Sequence, residues 1–295
     1  MEATMGQDLM LRAGGLEVGL RPRIGGALTH MTELSGEPVD LMRRAAPGFT
    51  DVLDSACFAL APFCNRVRDG RFSFGGHEVQ LTPNRPGQKH PLHGQAWRGA
   101  WTVADAGEAF AELVFDYVPG DWPWAYRARL RAVLENRGLT LTLSAQNRSP
   151  DVMPCGLGLH PYFPCDGATV LDTDAASVWT IDEEIMPVGR VAAVGRYDLK
   201  ARQICGAGLD NGYDGWRGDA LIAWPQARRA LRITSKAPRF QVYAPAGGGL
   251  FAAEPVTNAN GALNRPADEW DSLGLWRLAP GETASMSARF QVLNI

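Results

Sequence analysis

Apolar residues recur at every second position over much of the chain. In LTLTLSAQN, residues 139–147, Leu139, Leu141, Leu143 and Ala145 share one face of an extended segment. RLRAVLE, residues 129–135, alternates in the same way, and NRG at 136–138 supplies a turn, so a hairpin is predicted. RFSF followed by GGHEVQL, residues 71–81, predicts a second hairpin, with Phe72, Phe74, Val79 and Leu81 as its packing residues. RALRITS, FQVYAP and the closing SMSARFQVL read as further strands. Helical periodicity is scarce, and DSACFALAPF, residues 54–63, is the place where a turn or two of helix is expected. The stretch 166–200 is less regular and predicts long loops with short strands.

The 33 glycines and 20 prolines are scattered between these segments rather than clustered. Short strands with frequent turn residues predict an all-β fold, a large antiparallel sandwich or barrel. No linker, repeat or low-complexity tract interrupts the chain, so residues 1–295 are expected to form one domain.

Composition narrows the function. With 45% hydrophobic and 21% charged residues, the 295-residue chain reads as an ordinary globular protein. A net charge of −3 gives no reason to expect a nucleic acid or a membrane surface as partner. No apolar run approaches the roughly 20 residues of a membrane helix, and the N-terminus lacks the pattern of a secretory signal. The five cysteines, 57, 64, 155, 165 and 205, are odd in number and lack C-x-x-C spacing. They read as buried free thiols and favour a cytoplasmic location.

Among the candidates for chemistry, His77 follows two glycines and reads as a solvated turn residue, and His30 ends a predicted edge strand. His93, in HPLHGQAW, and His160, in GLGLHPYFP, lie in Gly- and Pro-punctuated aromatic segments of the kind that rim pockets. Asp210 and Asp214 share the turn-like LDNGYDGW. No phosphate-binding loop, nucleophile elbow or H-E-x-x-H is present, and no spacing supports a metal site. Glu254 is the single charge in AAEPVTNANGALN, residues 252–264. Pro255 holds it toward an extended backbone, and Ala252 and Ala253 leave room beside it.

Taken together, APFCNRVRDGRFSFGG, NRPGQKHPLHG, LGLHPYF, LDNGYDGW and AAEPVTN occur in an order that resembles the aldose 1-epimerase family, the galactose mutarotases. The resemblance extends from about residue 10 to the C-terminus. It implies a β-sandwich of the supersandwich type and a catalyst that interconverts sugar anomers without a cofactor. It matches Glu254 to a catalytic base and His160 to a catalytic acid. It matches Arg66, His93 and Asp210 to residues that hold the sugar oxygens, with Asn65 beside Arg66. Asp214 lies close enough to Asp210 to be confused with it.

The chemistry suits those residue types. Opening a cyclic hemiacetal needs one proton removed from the C1 hydroxyl and one delivered to the ring oxygen, with the roles reversed on closure. On this reading Glu254 rests ionised and His160 protonated, with Asp210 helping the imidazole keep its proton. The apolar face of a pyranose asks for a flat wall, for which Trp124, Tyr162 and Phe163 are candidates. Arg66 would otherwise brace a loop through Asp69. A monosaccharide is the expected partner, and the chain is expected to act as a monomer or homodimer. Three rival readings use the same fold: a phosphosugar epimerase, for which Arg85, Arg98 and Arg127 supply possible cations, a sugar-lactone isomerase or hydrolase, and a carbohydrate-binding protein without catalysis.

Overall fold

The computed structural model describes residues 7–135 and 137–295. Among them, two antiparallel sheets of eleven and nine strands dominate, so the chain is a large β-sandwich. The hairpin expected around residues 129–147 is present, with Tyr126–Glu135 paired to Gly138–Asn147 from Tyr126 opposite Asn147 to Glu135 opposite Gly138. Asn136, in its predicted turn, lies outside the described residues. Leu139, Leu141, Leu143 and Ala145 are fully buried, as the alternation requires. Arg71–Phe74 and His77–Gln80 form the second hairpin across Gly75 and Gly76. Both glycines have positive φ, which suits a two-residue hairpin turn.

Two expectations are corrected. The apolar run at 54–63 carries a single 3₁₀ turn just before it, Val52–Asp54, and then the strand Cys57–Leu60. All four strand residues are buried, because it lies inside the larger sheet with packing on both faces. A short apolar run covered on both sides has no periodicity to reveal it as a strand. His30 lies within Ala27–Glu33, which is flanked on both sides by other strands rather than at an edge, and it contacts Glu17.

The middle of the larger sheet runs Cys57–Leu60, Gly158–Pro164, Leu250–Val256, Arg239–Ala244, Leu209–Asp214. Strand alternation divides these residues between two faces. Cys57, Ala59, Leu159, Phe163, Phe251, Ala253, Phe240, Val242, Leu209 and Tyr213 point to the core shared with the second sheet. The intervening positions, including His160, Tyr162, Glu254, Gln241, Tyr243 and Asp210, are left for the opposite face. There Phe58, Leu60, Tyr162, Ala252 and Val256 make a smaller apolar cluster with Leu92 and Trp97 from the covering loops.

Candidate active site

The register of the sheet brings the expected acid and base together. Gly158 opposes Val256 and Tyr162 opposes Ala252, so His160 and Glu254 fall opposite one another between those pairs. His160 Nε2 lies 3.3 Å from Glu254 Oε1. Each residue is followed by a proline in mid-sheet, Pro161 and Pro255. Proline there forfeits a ladder hydrogen bond and is normally confined to edges. It also holds the preceding residue extended, which fixes the direction in which the acid and base side chains leave the backbone. Behind His160 the Phe58 ring stacks at 4.5 Å, and Tyr162 packs against it at 4.6 Å.

On the neighbouring strands, Gln241 sits directly across from Glu254 and Tyr243 across from Asp210. Gln241 Nε2 donates to Asp210 Oδ1 at 2.9 Å. Asp214 points to the same face but is held elsewhere, by Arg239 at 2.6 Å, Arg190 at 3.1 Å and the Trp179 indole at 2.9 Å. Asp210 is therefore the aspartate that lines the cavity.

Two loops complete the site. Asn65 and His93 both adopt left-handed backbone conformations, φ 63° in each case. They clasp each other: His93 N–H donates to Asn65 O at 2.9 Å, and Asn65 N–H donates to His93 Nδ1 at 3.2 Å. Because Nδ1 accepts, the ring proton of neutral His93 is on Nε2. Gly94, φ 70°, follows so closely on Ala61 that a Cβ would stand 2.2 Å from Ala61 O. Arg66 is anchored by its backbone N–H on Asn260 and by its guanidinium on Asn65 Oδ1 at 3.1 Å. No carboxylate lies within ion-pair range of Arg66 among the described residues, and Asp69 instead pairs with Lys89 at 3.2 Å.

These groups line one cavity of about 270 Å³, closed further by Leu53, Arg85, Gln88, Leu92, Ile185 and Tyr243. Of the residues expected from sequence, Glu254, His160, Arg66, His93, Asp210, Asn65 and Tyr162 all reach it. Trp124 does not. It is buried among Trp122, Phe72 and Phe74 and meets the edge of His77, packed on the hairpin Arg71–Gln80. Phe163 also faces away, packed on Phe251 in the inter-sheet core, since it alternates with Tyr162. Gln241 and Tyr243 were not singled out from sequence, and Arg85 was named only as a possible cation for a sugar phosphate. Gln241 had one signal, an amide alternating with the apolar Phe240 and Val242 in the strand Arg239–Ala244.

Burial governs the charges. It lowers the His160 pKa to about 3 and raises that of Glu254 well above the usual carboxylate range, with nearby Asp210 pushing Glu254 in the same direction. Both shifts disfavour the charged forms of the two side chains in contact, so burial works against the resting ion pair expected from sequence. Asp210 is also raised by burial, opposed by the charge of Arg66. Burial pushes His93 well below its ordinary value, with His160 and Arg66 acting in the same direction. The cavity thus offers a neutral imidazole donor, a guanidinium, a carboxyl bridged to an amide, and an acid–base pair in contact.

The chain belongs to the aldose 1-epimerase family, whose sequence profile matches residues 11–291. It is 33% identical over 254 residues to the uncharacterized protein YphB of Escherichia coli K12, covering 81% of this chain and 85% of that protein. Among solved structures it is similar to an E. coli K12 protein provisionally described as an aldose 1-epimerase. That match has a TM-score of 0.88 and 27% identity, over 98% of this chain and all of the other. A galactose mutarotase-like protein from Clostridium acetobutylicum superposes with a TM-score of 0.87 at 18% identity, over 100% of this chain and 97% of that one, which shows the shared fold.

Proposed function

We propose that the protein interconverts the α and β anomers of a free aldose by opening and reclosing the sugar ring. The observation that carries this reading is the 3.3 Å contact between His160 and Glu254 at the floor of a cavity of about 270 Å³, at the small end of ligand-pocket sizes and suited to one sugar ring. Ring opening requires a base at the C1 hydroxyl and an acid at the ring oxygen, and a pair that keeps one proton supplies both. When sugar hydroxyls and Arg66 solvate the carboxylate, the pair's proton passes to His160. Glu254 then takes the C1 proton while His160 gives its own to the ring oxygen. The aldehyde turns about the C1–C2 bond, and closure returns both protons. Asp210, the Nε2–H of His93 and Arg66 hold the remaining oxygens, and the Tyr162 ring offers a flat surface beside them. Positioned proton transfer of this kind contributes about 10²–10⁴-fold. The family membership supports the reaction class.

The test is polarimetry of freshly dissolved pure anomers of galactose, glucose, arabinose, xylose and fucose, with and without protein, alongside hydrolysis of sugar lactones. Faster decay of optical rotation for at least one aldose is expected. Lactone turnover without any mutarotation would assign the same pair to a different carbon centre.

A further inference from the structure

The cavity does not end at the sugar ring. Beyond Leu53 and Arg85, which line it on one side, lies a second cavity of about 300 Å³ bordered by the same two residues. Its other walls include Thr50, Trp97 and Arg98. The side chain of Arg85 is exposed and makes no hydrogen bond or ion pair among the described residues, which sets it apart from Arg66 and Arg98, both held by neighbours. Its position is nevertheless built. Arg85-Pro86-Gly87-Gln88 is a turn closed by Gln88 N–H donating to Arg85 O at 3.1 Å, with proline at the second position and glycine at φ 73° at the third. That is the residue pattern of a type II turn, and it sets Arg85 and Gln88, both cavity-lining, on its two flanks. Just before it, the Asn84 side chain pins the loop by bonding Leu92 N–H, Leu92 O and Gly94 O.

Arg127, the other candidate cation, is spent elsewhere: it forms a two-pronged pair with Asp116 on the second sheet. In the second cavity Asp51 is the one carboxylate, and its oxygen accepts from Leu53 N–H. Arg85 and Arg98 leave that end with an excess of positive charge, whereas the floor of the first cavity is lined by Glu254 and Asp210.

We propose that Arg85 is a specificity residue that holds an anionic substituent of the aldose, with Arg98 reinforcing the charge. The substrate class is therefore an aldose bearing a carboxylate or a phosphate ester outside the ring. Charged oxygens on a guanidinium make the stronger, directional kind of hydrogen bond. This rests on the anomer-interconverting reading of the site, and deepens it by naming what the substrate carries.

The experiment compares catalysed mutarotation of glucose, glucuronate, glucose 6-phosphate and a neutral disaccharide with a free reducing end. It uses wild type, Arg85→Gln and Arg85→Lys. The expected result is a kcat/KM for one of the anionic sugars at least ~10-fold above that of glucose. Arg85→Gln should reduce that ratio by about 10-fold, chiefly through KM, and Arg85→Lys should restore part of it. The two anions distinguish a carboxylate from a phosphate ligand. Acceleration of glucose with no preference for either anion, or a preference untouched by Arg85→Gln, overturns the assignment and leaves the proposed activity standing. A preference for the disaccharide over both anions also overturns it and gives the second cavity to another sugar ring. No acceleration of any sugar removes the activity, and this inference with it.

Discussion

His160 Nε2 and Glu254 Oε1 lie 3.3 Å apart, with neither residue more than 6% exposed. Their titration is consequently that of a pair. The reactive form carries one proton. A second adds only as pH falls toward the depressed His160 value of about 3, and the first leaves only above the raised Glu254 value. The profile of kcat/KM against pH should therefore stay level through pH 6.5, the ordinary histidine value, with its acid limb nearer pH 3–4. An acid limb centred near pH 6.5 would show that His160 titrates as a free imidazole.

The same shift has a consequence for stability. The folded pKa of His160 is depressed, so between about 3 and 6.5 the unfolded chain binds a proton that the folded chain does not. Its contribution is intact above pH 6.5 and is lost as pH falls toward 3. Thermal unfolding of wild type at pH 7 and pH 4 should show a larger drop in Tm than His160→Asn shows over the same interval. His93 is depressed in the same direction and remains in the variant, so the dependence is reduced and not abolished. Equal drops would contradict the burial argument.

Gln241 reaches Asp210 from across the strand pair at 2.9 Å and takes one of its oxygens out of rotation. Gln241→Met keeps the volume and removes the donor. A hydrogen bond to a buried charge is worth about 1.5–3 kcal/mol. We expect kcat/KM to fall about 10-fold or more, mostly through KM, with kcat less affected. Steady-state kinetics on the preferred aldose checks this, and a change confined to kcat would place Gln241 in the proton transfer instead.

The left-handed pair His93–Gly94 aims the His93 ring. A methyl group on Gly94 would meet Ala61 O at 2.2 Å in a backbone conformation unfavourable to any Cβ. Gly94→Ala should cost at least about 1–3 kcal/mol in urea denaturation and raise KM by moving His93. Unchanged stability together with unchanged KM would mean that the loop relaxes freely.

The sheet was legible because period-two alternation survives wherever one face is wet or lined with polar groups, as in Leu139–Ala145. It fades where both faces are covered, which is why Cys57–Leu60 passed for helix. Most of the site was legible through a set of motifs whose order mattered more than any one piece. The failures have physical reasons. Trp124 and Tyr162 are both aromatic residues next to prolines, and nothing local says which ring meets sugar and which meets Trp122. Phe163 turned inward because its neighbour Tyr162 turned outward. The opposed shifts of His160 and Glu254 depend on burial of two residues 94 positions apart, which no local pattern encodes. Arg85 is set apart by having no hydrogen-bond or ion-pair partner among the described residues, a property of the folded surroundings.

The central claim is best tested by two-dimensional exchange NMR of an aldose at anomeric equilibrium, comparing wild type with Glu254→Gln. Gln keeps the volume and cannot take the C1 proton. The account predicts wild-type exchange well above the rate in buffer, and a fall of at least ~10²-fold in a Glu254→Gln protein whose circular dichroism and Tm match a folded chain. Full-rate exchange in that folded variant would contradict it.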